Sequence, residues 1–522
     1  MNAAMLTALV VNEVRLRMRR LGTIVTLLAI IAIGWSMIPD PQSGTTLIAI
    51  SEARVLYTSS ALALGSATLS GFLFGLAGFY LARGRIAEDL RSGTGGVIAA
   101  TQVGNTLFLF SRWLGGVVYL ISLILAFLGT MLVCHALRGD GPIEIGIYLQ
   151  TYAVILLPMV FFSISCAILF DSFSPLMGKL GDVIFFFIWI AEISLMSKID
   201  TAAPGQLSPL LYFDFSGLAM SMINLKTHLD IRHLSLGTAT FNVALTPVMI
   251  PAWLWSTQFI GMRCVTAALA ILPLLPAIAL FHRFSPDYVK MARAQKRRSP
   301  LEYLNHFLRP LSKLAQPLFR LAQSVPGMPG QVLADIALTV VTAPAASATL
   351  IVMALISIVC PLRALPGLLS IAVAVWGILI SDISTRDTQA ATAEMTGTVS
   401  GGIRQRYLRQ FAATVILGLL LTAVIAIRWS AHEPLRAVAL VSGVFSMSAM
   451  AMLLGRMSGS SRTFIALFLF GLYVIVNATG VALLDVFGFN GAANMQSILL
   501  QTSIGSTACL AGYIYNPYAA NR

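Results

Sequence analysis

An all-α polytopic membrane protein is the fold class this sequence predicts, with about 12 transmembrane helices in two six-helix halves and both termini cytoplasmic. Three observations carry that reading. Of 522 residues, 57% are hydrophobic and 11% charged, against about 25% charged in an ordinary soluble domain, too few to cover a soluble surface. Twelve stretches are apolar and long enough, or nearly so, to cross a hydrocarbon core at about 1.5 Å per residue. The basic residues also alternate in density from loop to loop, as the rule of positively charged cytoplasmic loops requires.

The expected spans are 21–38, 55–82, 113–136, 147–170, 180–197 and 262–281 in the first half. Those in the second are 336–359, 367–383, 411–427, 437–454, 464–484 and 498–513. Each must be a helix, because the bilayer core offers no water to bond a strand's free backbone groups. Ahead of the first span stand Glu13 and four arginines, Arg15, Arg17, Arg19 and Arg20. No small-residue cleavage site follows, so this start does not read as a removable signal.

Orientation follows from charge. With the N-terminus cytoplasmic, 25 of the 34 Lys and Arg residues fall on that side. The net charge of +13 is thus accounted for by topology and attraction to anionic lipid, not by a nucleic-acid footprint. Trp35, Trp253, Trp255 and Trp429 fall near outer ends and Trp113 near an inner one, the expected places for an aromatic belt. The five scattered cysteines, never in a C-x-x-C pair, read as small apolar residues.

Between the sixth and seventh spans a basic stretch ends in Lys296, Arg297 and Arg298, then becomes periodic through Leu304, Phe307, Leu308, Leu311, Leu314, Leu318 and Leu321. It suits short amphipathic pieces, interrupted at Pro310 and Pro317. They lie either in the membrane interface or against the protein's own loops. The chain therefore divides into residues 1–282, a linker at 283–330, and residues 331–522.

The halves read as diverged repeats. After the second span comes Glu88-Asp89-Leu90-Arg91-Ser92-Gly93-Thr94; after the eighth, Asp387 again stands five residues before a threonine, Thr392. A basic residue follows each threonine and opens the next span, Arg112 in one half and Arg409 in the other.

The basic N-terminal segment, the loop Glu88 to Thr94, and a long outer segment at about 198–261 together resemble the permease of an ABC-2 type exporter. The resemblance covers residues 1–282 and extends more faintly over 331–522, where Asp387 to Thr392 lacks the Arg-Ser-Gly. It implies that Glu88, Asp89, Arg91, Ser92, Gly93 and Thr94, with Asp387 and Thr392 as counterparts, form coupling loops to ATPase subunits. It also implies a bacterial inner membrane and two ATPase copies carrying ATP and magnesium on a partner chain. No G-x-x-x-x-G-K-S/T phosphate loop occurs here, and Val399-Ser400-Gly401-Gly402-Ile403-Arg404-Gln405 only imitates an ATPase signature. No enzyme activity, cofactor or catalytic residue is expected in this chain.

Other candidates are sparser. Glu192, inside the fifth span, either faces the substrate path or takes up a proton, or reaches water at the outer end. His228, Asp230 and His233 read as a polar outer loop and not as a metal site. Gly71 and Gly75 allow close helix packing. An ion-gradient-driven secondary transporter is the alternative function, and an intramembrane enzyme would need a cluster that His135 and His282 do not form by sequence. No residue names the substrate.

Overall fold

The computed structural model describes residues 3–520 apart from 41–43, 198–207, 230, 232–233, 282–283, 285–315, 390–391, 393–394, 396–401 and 478–479. Two compact units emerge, Met1–Lys296 and Arg297–Arg522, the division falling inside the basic stretch between the sixth and seventh apolar segments.

The first unit begins with helix α1 (Ala3–Met18), bent by 72° from α2 (Leu21–Met37). The chain is helical almost throughout, and one small sheet accompanies the helices. Strands β1 (Thr45–Ile50) and β2 (Ala53–Arg54) form an antiparallel sheet with β3 (Leu234–Thr240), in the order β2-β1-β3. Its register pairs Ala49 with Arg54 and Thr46 with Ala239. Thr45 to Ile50 is rich in β-branched residues and too short to span, so it forms a strand where the chain leaves the apolar bundle.

The bundle follows: α3 (Ser59–Ala82), α4 (Arg85–Ser92), α5 (Thr94–Ala100), α6 (Asn105–Arg138), α7 (Ile145–Ser172) and α8 (Lys179–Met196). A one-turn element at Pro209–Phe213 leads to α9 (Leu218–His228), and after β3 come α10 (Thr257–Leu269) and α11 (Leu274–Leu280). Helix α3 packs most extensively along α7, and its glycines are the reason. A Cβ on Gly75 would collide with Met159 of α7, and one on Gly78 would stand 3.6 Å from Ser163 of α7 and within 2.7 Å of Leu120 on α6. Only glycine permits that approach.

Helix α6 has 34 residues, about 50 Å at 1.5 Å per residue, against a hydrocarbon thickness of about 30 Å. It therefore runs well beyond any core it crosses. The expected start at 113 is too late: the helix begins at Asn105 and carries Arg112 inside it.

The second unit runs through α12 (Gln316–Ser324), α13 (Met328–Thr342), α14 (Pro344–Val359), α15 (Leu365–Ile380), α16 (Arg386–Gln389), α17 (Gly402–His432), α18 (Pro434–Ser458), α19 (Ser461–Asn477) and α20 (Met495–Ala520). It too opens on a bent pair, α13 and α14 meeting at 104° where Pro344 removes a backbone donor. Helix α18 packs along both α17 and α20.

Among the described residues eight helices are long and apolar enough to cross a membrane, or ten if each bent pair is one span. The other two expected spans, 180–197 and 464–484, are helices α8 and α19 of 18 and 17 residues. Leu28, Leu125, Leu420 and Leu510 all stand more than half exposed on these helices, a surface that suits lipid and not water. The aromatic belt is thinner than expected. Trp35 and Trp253 are exposed, whereas Trp113, Trp255 and Trp429 are buried, the first two donating to Ser165 and Thr151.

Candidate functional site at the basic end

The sequence between α3 and α6 folds as a helical hairpin because its glycines allow it. Gly84 and Gly93, at φ +91° and +76°, flank α4 in the left-handed region, which other residues adopt at a cost. Gly95 serves close packing instead of a turn. It lies in α5, and a Cβ there would come within 2.9 Å of the Phe284 ring.

Buried ion pairs weld this hairpin to its neighbours. Arg83, at the mouth of α3, reaches Asp182 of α8 at 2.5 Å and Asp171 of α7 at 3.4 Å. It also donates to the carbonyls of Leu176 and Gly178. Asp171 in turn accepts from the Gly84 amide at 2.7 Å. Arg85 of α4 pairs with Glu13 of α1 at 3.2 Å. Glu13 also holds Arg17 at 2.9 Å, and Arg17 donates to the carbonyls of Leu81 and Ala82. Burial would raise the Glu13 carboxyl, but Arg17, Arg112 and Arg85 outweigh it and bring it down to about 2.

The expected coupling residues divide sharply. Asp89 is buried and committed inward, paired with Arg112 of α6 and bonded by the Thr94 hydroxyl at 3.4 Å. Ser92 and Thr94 bond each other at 2.8 Å. Glu88 is half exposed and bridges Arg20 and Arg85, at 2.5 and 2.6 Å. Leu90 and Val97, at 40% and 69% exposure, are the apolar residues presented outward. The side chain of Arg91 lies outside the described residues.

In the second unit Thr392 donates from its amide to the Asp387 carbonyl at 2.9 Å, and its hydroxyl approaches the same oxygen at 3.4 Å. Asp387 faces Arg406 at 3.6 Å and accepts from Gln410 at 3.2 Å. Arg409, expected to correspond to Arg112, instead pairs with Asp335 of α13 at 2.7 Å. The imitation signature at 399–405 falls partly outside the described residues.

Glu192 stands apart from this end, part-buried on α8. Its Oε1 accepts from the Ser216 amide at 2.9 Å, while the Ser216 carbonyl oxygen lies 3.4 Å from where a Cβ on Gly71, midway along α3, would stand. Asp214 seats the same turn by accepting from the Gly217 and Met220 amides, both at 2.8 Å. Arg263 of α10 donates to the carbonyls of Asp214 and Phe215 in the turn and of Val154 and Ile155 in α7. Val154 needs that donor, because Pro158 four residues on has no N–H to give it.

No group of three or more potential metal ligands occurs among the described residues. His228 bonds the Asn224 carbonyl, and Asp230 and His233 lie outside the described residues. His135 bonds the Tyr148 hydroxyl at 3.0 Å, and His282 is not among the described residues. The sequence reading missed Arg83, Asp171, Asp182, Asp214 and Arg263. The available signal was charge lodged at the ends or within apolar segments, which membrane proteins tolerate only where it is paired or functional.

No protein-family model, curated protein or solved structure matches the chain.

Proposed function

We propose that this chain is the membrane-spanning permease subunit of an exporter driven by a separate ATPase subunit, with two ATPase copies docking on its cytoplasmic face. The observation that carries this reading is the α4–α5 hairpin. Ion pairs anchor it to α1 and α6, and Arg83 ties the mouth of α3 to α7 and α8, while Glu88, Leu90 and Val97 face outward. A short element joined rigidly to several helices and free on its other side suits the transfer of movement from an ATP-driven partner. A loosely attached loop would absorb the same push. ATP and magnesium would sit on the partner chain, and the setting is a bacterial inner membrane with both termini cytoplasmic.

A specific observation favours the second reading, an ion-gradient-driven transporter: the buried charges of Glu192, Asp214 and Arg263 midway along the first unit. Co-purification from native membranes separates the two. A stoichiometric ATPase retained by the intact chain, and lost in Leu90→Asp and Val97→Asp while the protein stays folded, supports the permease reading. A chain that purifies alone and moves cargo in vesicles under an ion gradient without ATP overturns it.

A further inference from the structure

The turn at Asp214–Gly217 places polar groups at membrane depth. Gly71, which it touches, lies twelve residues into α3, about 18 Å from that helix's end. That is past the midpoint of a core about 30 Å thick. Charges at that depth must be accounted for one by one.

Asp214 is fully engaged: both carboxylate oxygens accept backbone amides, and Oδ1 also takes the Ser216 hydroxyl. Arg263 is equally occupied, yet every acceptor given for its guanidinium is a backbone carbonyl. These two cancel in charge. Glu192 is left over. Oε1 takes the Ser216 amide, and Oε2 is buried with no hydrogen-bond partner among the described residues.

Little else faces it. Helix α3 contains no charged residue, and its Tyr80 hydroxyl is spent on the Asp182 carbonyl. Helix α9 carries Lys226 and His228 in its last turn, away from the Gly217 end. On α8 itself, Lys179 and Asp182 lie more than two turns towards the other end. An ionised Glu192 would make the cluster net negative in a low-dielectric interior, with one oxygen orphaned. A neutral acid there costs only an unsatisfied hydroxyl, far less than an unpaired charge.

The second unit supplies an internal control. There Asp485 accepts from the amides of Asn490, Ala492 and Ala493. Arg436 donates to the carbonyls of Gly488 and Phe489, both at 2.8 Å. A capped turn is again held by an arginine, but its link to the preceding helix is neutral, from the Asn490 side chain to the Ile475 carbonyl at 2.9 Å. Linking such a turn to the helix before it does not require a titratable group.

We propose that Glu192 is a proton-binding site, protonated while the Asp214–Gly217 turn is seated and releasing its proton to water when the turn opens. Seated and open states then differ by one proton, so rising pH favours opening by up to tenfold per pH unit between the two acid strengths. The proposal stands independently of the ATPase reading, since either engine could drive a proton-linked turn.

The test uses the full chain in lipid nanodiscs with glutamate isotopically labelled at its carboxyl carbon. Infrared difference spectra at neutral pH should show a label-shifted acid carbonyl band that is absent in Glu192→Gln. Hydrogen exchange at Gly217 and Met220, corrected for intrinsic rate, should rise with pH in the wild type and stay flat in the variant. Absence of the labelled acid band in the wild type overturns the proposal whether or not the variant folds. So does a band that persists in Glu192→Gln, or pH-independent exchange in the wild type.

Discussion

Replacing Arg83 by alanine should be among the most damaging single changes in the first unit. Its guanidinium is wholly buried between Asp171 and Asp182, themselves 5% and 2% exposed, and it also serves the carbonyls of Leu176 and Gly178. Removing one member of a buried ion pair leaves the other charged and unsolvated, at about 3–5 kcal/mol. Here the loss orphans two carboxylates, so the upper part of that range applies. With about 2–4 °C per kcal/mol for a body of this size, the midpoint of thermal unfolding in detergent should fall by roughly 10 °C or more. The control is the triple variant Arg83→Ala, Asp171→Asn, Asp182→Asn, which removes the orphaned charges along with their partner. It should recover about half of the loss, because the carbonyl bonds remain broken. A midpoint within about 2 °C of wild type for Arg83→Ala would show that water reaches these carboxylates, and the reasoning would fail.

Three further outcomes are expected. Gly75→Val should destabilise by about 1–3 kcal/mol through overpacking, since even a Cβ collides with Met159 and lies 3.2 Å from the Trp189 indole nitrogen; an unchanged unfolding midpoint would refute it. Glu13 is held near 2 against an ordinary 4.5, a difference of about 3 kcal/mol in favour of the folded state when ionised. A depressed folded value stabilises above the unfolded one, so this contribution is complete above pH 4.5 and lost as pH falls towards 2. Denaturation midpoints across that window should flatten in Glu13→Gln. Arg263→Met should lower stability by about 2–3 kcal/mol by stripping the carbonyls of Val154 and Ile155 of their donor. Adding Pro158→Ala should return about 1 kcal/mol, because the new amide can serve Val154; strict additivity in a double-mutant cycle would show that the two groups are unconnected.

Apolar length and charge density made the helical bundle legible, because a bilayer leaves so few ways to satisfy a backbone. They could not separate a full span from a shorter or more charged helix: α19 has only 17 residues, and the 18 of α8 include Lys179, Asp182 and Glu192. The β1–β3 pairing was hidden because its partners lie far apart in sequence, at Thr45–Ile50 and Leu234–Thr240. The loop from Glu88 to Thr94 stood out by its charges, yet composition could not say which of them turn inward. Asp89 reads as a polar contact residue and is in fact the buried mate of Arg112. That distinction depends on α6 beginning at Asn105, about two turns before hydropathy alone would start it. The tie between Arg263 and the carbonyl that Pro158 leaves without its amide was hidden too, because it exists only in three dimensions.

The two aspartate–threonine loops share a spacing while the charges around them differ. Asp89 meets Arg112 and Asp387 meets Gln410, each pair 23 residues apart. By that count the position of Arg112 is taken by Gln410, one place beyond the Arg409 that charge alone selects. Glutamine bonds the aspartate without neutralising it, and Arg406 approaches the same carboxylate from one helical turn earlier in α17. Arg456 of α18 closes the set by donating to Gln410 at 2.9 Å. Arg409, released from that role, pairs with Asp335 on α13, as Arg85 pairs with Glu13 on α1. Each unit therefore ties its loop to its longest helix, through Asp89 to Arg112 and through Asp387 to Gln410. The 23-residue offset and the hydroxyl bond from the threonine back to the aspartate are thus common to both loops, while the charges around them differ.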